Sequence, residues 1–225
     1  MTRTANARIA GFTFLAYIAA GITSMILYGT IVRGEGMAAR LAELAHHATG
    51  VGVVVLLGLV QSFSALVLAV TLYAITRVED RDLALLGLVC RVSEGLIGAF
   101  AIPGILALFW LATATGADAP DPAAAHVLGQ YLMRGDVAFT ATFFAVGSTL
   151  FSWLLLRGRM IPVPLAWLGV AASVLLVVCL PLQLAGFLGA PITTFMYLPM
   201  LAFEVPLGFW FLIKGVAAPA TAPSA

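Results

Sequence analysis

The residues able to do chemistry are few, and two of them sit where the chain can least accommodate charge. In "LLGLVCRVSEGLIGAFAIPG", residues 85–104, Arg91 and Glu94 interrupt an otherwise apolar run. They are three residues apart, so on a helix they share a face and can pair. A third ionisable group, Glu204, stands in "MLAFEVPLGFW". One guanidinium can neutralise one carboxylate. The other glutamate is then expected as the neutral acid, because a lone ionised carboxylate is costly to bury. An ion pair beside a protonated carboxyl can handle protons or hold a polar ligand. It can equally serve as an interhelical clamp.

The elements that must position these groups follow from composition. The chain has 225 residues, of which 62% are hydrophobic and 9% charged, where a soluble domain has about 25% charged. Its mean hydropathy is +1.09. So few polar side chains cannot cover a soluble surface of this size, so lipid must. Six apolar segments are long enough to cross a bilayer as helices, at 9–32, 50–76, 83–113, 128–156, 163–187 and 193–214. The expected fold is an all-α integral membrane bundle of six transmembrane helices. Residues 1–216 form one domain, and the Ala/Pro-rich end, 217–225, is expected to be disordered. The first segment is too long for a signal h-region and is read as an uncleaved span.

Lys and Arg set the orientation. Arg3, Arg8, Arg77, Arg81, Arg157, Arg159 and Lys214 fall on one side of the alternating connections, against Arg33 and Arg40 on the other. The excess places both termini in the cytoplasm, N-in and C-in. In the first connection Met37, Leu41 and Leu44 recur at helical spacing, with Arg40, Glu43 and His47 between them. That pattern predicts a short interfacial amphipathic helix on the outer surface.

Depth can be counted along the helices. At about 1.5 Å per residue, Glu94 lies about 16 Å in from Leu83, and Glu204 about 16 Å in from Thr193. The two helices enter from opposite sides, so both glutamates reach mid-depth. Gln61 lands at a similar level. The expected ligand or proton site is therefore a polar layer of Arg91, Glu94, Glu204 and Gln61. Arg134 and Asp136, in "YLMRGDVAF", are secondary candidates near the outer mouth of the fourth helix. Pro103, Pro181, Pro199 and Pro206 mark places where a helix loses a backbone donor, with Pro181 expected to break the fifth helix near Gln183. "SEGLIGAF" and "FEVPLGFW" share Glu-x-x-x-Gly, as an inverted three-plus-three repeat would. The match is too short to argue from.

Other chemistries lack their residues. The net charge of +1 gives no basic patch for nucleic acid. There is no phosphate-binding glycine loop, HExxH, CxxC or GxSxG, and no cofactor is expected. His46 and His47 are adjacent and point about 100° apart on a helix, so they make a poor metal pair. Asp118 and Asp121 stand in a proline-flanked turn. Cys90 and Cys179 lie in apolar runs and read as buried small hydrophobes. No metal is expected, and oligomeric state is not legible.

Four segments in order carry a family resemblance: "ARIAGFTFLAYIAAG" (7–21), "LVCRVSEGLIGAF" (88–100), "RGRMIPVPLAWLGV" (157–170) and "FEVPLGFWFLIKGV" (203–216). Together they resemble the bacterial multi-pass membrane family known as domain-of-unknown-function family 4386. Its Arg-x-x-Glu element matches Arg91 and Glu94, and its last-helix Glu and Lys match Glu204 and Lys214. This chain departs from the family's pattern in having Pro162-Val163 where Pro-Arg is usual, and "FFAVGS" (143–148) where a His is frequent. The resemblance implies a multi-pass protein of the bacterial inner membrane and no established activity. Three function classes are open. The preferred one is binding or transport of a small or lipid-like ligand at the buried polar site. The others are an intramembrane acid-base enzyme acting on a lipid or isoprenoid, and a structural or regulatory membrane partner that catalyses nothing. Membrane lipids are the expected surroundings in each.

Overall fold

The computed structural model describes residues 2–133 and 137–217. Among them every regular element is helical: α1 (Arg3–Ile31), α2 (Met37–His46), α3 (Ala48–Thr76), α4 (Arg81–Ala99), α5 (Ala101–Thr113), α6 (Pro122–Met133), α7 (Val137–Arg157), α8 (Val163–Leu184), α9 (Ala190–Phe195) and α10 (Leu198–Ile213). They make six stretches long and apolar enough to cross a membrane. The chain is an all-α, multi-pass membrane protein. Arg134 and Asp136, two of the expected site residues, and most of the 217–225 tail lie outside the described residues.

Proline explains where the expected helices divide. The 83–113 segment is two helices, α4 and α5, meeting at Phe100. Pro103 has no N–H, and its ring crowds the carbonyl four residues back, at Ala99, the last residue of α4. Pro199 acts in the same way in the first turn of α10, which separates it from α9. Pro181 does not break its helix: α8 continues through it to Leu184. That helix ends instead where Gly186 turns left-handed (φ 79°). There the Phe187 and Gly186 N–H groups donate back to the carbonyls of Leu182 and Gln183, a Schellman cap. The fourth span begins earlier than expected, because Asp121 Oδ1 accepts from the N–H groups of Ala123 and Ala124 at 2.9 Å each and caps α6.

The chain divides into two compact units. The first comprises residues 1–17, 63–95 and 137–225, the second 18–62 and 96–136. In the second unit α2 buries the stripe that its spacing predicts. Met37, Leu41 and Leu44 pack with Ile31, Val51, Val54, Leu108 and Leu111. The apolar face of α2 thus rests on protein. In the first unit α8 lies between α7 and α10 and packs on both. Close approach depends on glycine. A Cβ at Gly169 would run into the Phe203 ring, and one at Gly11 would stand only 2.6 Å from the backbone of Gly208 and Leu212.

One end of the first unit collects its polar connections. The Arg3 guanidinium donates to the Ile75 carbonyl at 3.3 Å, at the C-terminal end of α3, where a cation suits the helix dipole. Arg157 pairs with Asp80 at 3.5 Å, and the Ala217 N–H donates to the Met160 carbonyl. Both ends of the described chain therefore lie with the connections at 77–82 and 158–162.

Candidate functional site

Counting along the helices from that polar end locates the site. Glu94 is 13 residues from Arg81, and Tyr17 is 14 residues from Arg3. Phe144 is 13 residues before Arg157. At about 1.5 Å per residue all three reach a depth of about 20 Å. The first unit brings them together around Arg91.

Arg91 is the largest fully buried side chain of the described residues, 1% exposed. Its Nη1 lies 2.8 Å from Glu94 Oε2 across one turn of α4, and Glu94 is itself buried. The contact is an ion pair without an aligned hydrogen bond. Among the described residues Nε, Nη1 and Nη2 of Arg91 all lack a hydrogen-bond partner, as does Glu94 Oε2. The other Glu94 oxygen, Oε1, accepts from the Tyr17 hydroxyl at 2.7 Å. Two rings hold the guanidinium, with Phe144 at 4.8 Å and Tyr17 at 5.8 Å from its carbon. Both distances suit a cation over a π-face. The stem of Arg91 reaches this place across Gly147, where a Cβ would lie 2.9 Å from Arg91 Cγ. The glycine is therefore a steric requirement of the site.

Glu204, on α10, is buried, 6% exposed. Arg91 and Glu94 are the charged groups that act on it most strongly. Yet among the described residues no cation lies within ion-pair distance of it. Glu204 lines a small, partly open cavity with Ser148 and Ser152 of α7 and the apolar residues Phe14, Leu72, Phe151, Leu155, Phe203 and Leu207. The space open to a water-sized sphere is about 10 Å³, which is room for one water molecule. Ser148 and Ser152 are four apart and point the same way from α7. Apart from these two serines and Glu204 the lining residues are apolar.

Of the residues expected from sequence, Arg91, Glu94 and Glu204 belong to this one unit. Gln61 belongs to the second unit, where its amide packs over Gly21. Sequence reasoning missed Tyr17, Phe144, Gly147, Ser148 and Ser152. The equal depth of Tyr17, Glu94 and Phe144 was available as a signal. So was the small-residue stripe Ala141, Ala145, Ser148, Ser152, all of it buried on α7. The remaining candidates have structural duties. His47 Nδ1 is 2.8 Å from the Glu43 carbonyl, and Asp121 is a helix cap. Among the described residues no three His, Cys, Asp or Glu side chains form a group able to hold a metal ion.

The family described as "Domain of unknown function (DUF4386)" matches residues 9–215, and the chain belongs to that family. No curated protein matches it, and no solved structure does.

Proposed function

We propose that this DUF4386 member binds, and in its membrane context moves, a small polar ligand at the buried site of Arg91, Glu94 and Glu204. The observation that carries the reading is the state of Arg91. Its guanidinium is withdrawn from water, Nη1 meets only Glu94 Oε2 at 2.8 Å, and Nε and Nη2 have no hydrogen-bond partner among the described residues. A clamp built for packing would satisfy those donors, since buried polar groups are nearly always paired. Donors left open are suited to a ligand oxygen. The site lies within one unit of the fold, framed by α1, α4, α7 and α10.

In the same reading the protein sits in the bacterial inner membrane with both termini in the cytoplasm. The clustering of Arg3, Arg77, Arg81, Arg157 and Arg159 at one end supports that orientation.

The test is mass spectrometry of small molecules that co-purify in mild detergent, with Glu94→Gln/Glu204→Gln, shown to be folded, as control. A defined molecule present with the wild type and absent from the variant is the expected result. If nothing specific travels with the wild type, and the variant only loses thermal stability, the polar groups are a clamp and the proposal fails.

A further inference from the structure

Counting only the buried charged side chains of the first unit, Arg91, Glu94 and Glu204, leaves one negative charge without a partner in ion-pair range. Arg91 is the buried cation, and its Nη1 is 2.8 Å from Glu94. The pair is close to neutral as a whole. Glu204 remains, 6% exposed, with no cation in ion-pair range among the described residues. The charged and titratable groups that face it are Arg91 and Glu94 from α4 and Tyr17 from α1. From α7 the polar residues lining the cavity beside it are Ser148 and Ser152. A lone carboxylate in so apolar a place is costly unless a positive charge accompanies it.

Beside that carboxyl is a cavity of about 10 Å³, the volume one water-sized particle occupies. Its polar lining residues are one glutamate and two serines, so side-chain ligands there would be oxygens only. A divalent ion is poorly served there, because Ca²⁺ takes 6–8 oxygens, usually from several carboxylates. One carboxylate neutralises one unit of charge.

We infer that the Glu204–Ser148–Ser152 cavity is a binding site for a single small monovalent cation, either Na⁺ or the proton. This deepens the ligand-site reading by naming the charge that enters with the ligand, and rests on it only in sharing Glu204. Neutralising Glu204 leaves the open donors of Arg91 free to attract a ligand oxygen without a competing bare carboxylate. Occupancy of the cation site is thereby coupled to ligand binding through charge, with no large movement required.

The experiment uses the full chain in detergent, with N-methylglucamine as the Na⁺-free control cation. Thermal unfolding is followed with and without NaCl at fixed pH and ionic strength. The infrared carbonyl stretch of protonated carboxyls is recorded in the Na⁺-free sample. Wild type is compared with Glu204→Gln and with Ser148→Ala/Ser152→Ala. A rise in Tm of about 3–6 °C at ten times the dissociation constant, abolished by Glu204→Gln, identifies Na⁺. No Na⁺ effect, together with a protonated-carboxyl band that Glu204→Gln removes, identifies the proton. In either case the double serine variant weakens the signal, by a smaller Tm rise or an up-shifted band. If Glu204→Gln does not fold, that serine variant supplies the comparison. Neither a Na⁺ effect nor a band altered by any variant overturns the inference. Co-purified mass, read on the same samples, separates the two proposals. A ligand retained without any cation signal rejects only the cation site. A cation signal without a co-purified ligand rejects only the ligand reading.

Discussion

Removing Arg91 alone and removing it together with Glu94 have very different consequences if the two form one charge unit. Arg91→Met keeps the length of the stem that passes Gly147, and leaves Glu94 and Glu204 both buried with no cation near. Breaking a buried pair from one side costs about 3–5 kcal/mol. Glu94→Gln strands the guanidinium instead and is expected to cost a similar amount. The double variant Arg91→Met/Glu94→Gln removes both charges. It loses the stacking of a cation on Tyr17 and Phe144, about 1–2 kcal/mol. It also exchanges the charged acceptor of the Tyr17 hydroxyl for a neutral amide oxygen, about 1 kcal/mol more. Its expected cost is therefore about 2–3 kcal/mol, well short of the roughly 6–10 kcal/mol obtained by adding the single losses. The assay is equilibrium unfolding in mixed micelles for all four members of the cycle, with the co-purified molecule read on each folded sample. The double variant should fold and be empty. Additive losses would show that Arg91 and Glu94 hold the helices through separate contacts, and the charge-unit reasoning would be wrong. A double variant that folds and still retains the molecule would refute the assignment of the site.

Further expectations follow from single contacts. Tyr17→Phe deletes the 2.7 Å bond to Glu94 while keeping the ring on Arg91, and should cost about 1–2 kcal/mol in the same unfolding assay. Gly11→Ala places a methyl 2.6 Å from the backbone of Gly208 and Leu212. Backbone cannot move aside as a side-chain end can, so the loss should exceed the usual overpacking range of about 1–3 kcal/mol and show as poor yield of folded protein. Arg159 holds φ 46° after α7, a conformation that costs a non-glycine residue about 1–2 kcal/mol. Arg159→Gly should therefore raise Tm, and an unchanged or lower Tm would mean that its side chain has a contact worth more than the strain. Arg157→Ala, by contrast, removes a half-exposed pair with Asp80 at 3.5 Å and should change stability by less than about 1 kcal/mol.

Reading the sequence located the spans well because lipid imposes a one-dimensional rule: length and apolarity suffice. It also singled out Arg91, Glu94 and Glu204, which the fold buries, since an ionisable residue inside such a run is conspicuous whatever the fold. The divisions at Phe100 and before Leu198 were half-legible. Pro103 and Pro199 were recognised as trouble, but whether a proline kinks, breaks or is absorbed depends on neighbouring packing, as the unbroken α8 at Pro181 shows. Gln61 was grouped with the charges by depth alone. Depth fixes height along a helix but not which face points where or which unit receives it. The missed residues fail for another reason. Tyr17, Gly147 and Ser148 are ordinary in a membrane helix, and their importance comes from what stands opposite them. The face of α2 shows the same limit: periodicity gave the stripe and could not say that protein, rather than lipid, covers it.

The choice between a clamp and a ligand site turns on whether the first unit needs its charges to stay together. Its core already joins α1, α3, α7, α8 and α10 through Phe14, Leu68, Phe151, Leu176, Phe203 and Phe211. Gly11, Gly169 and Gly208 let the backbones and rings of that core approach closely. Contacts of this kind are what holds helices in lipid, where small residues and close packing replace the hydrophobic effect. Against that background an Arg–Glu pair is an inefficient fastener, because apolar side chains of the same volume do as well or better. Nor would a fastener call for a second buried glutamate with no cation in ion-pair range among the described residues. The combination is economical only if the excess charge has a use: the cavity beside Glu204 admits one small particle, and Nε and Nη2 of Arg91 have no oxygen partner among the described side chains.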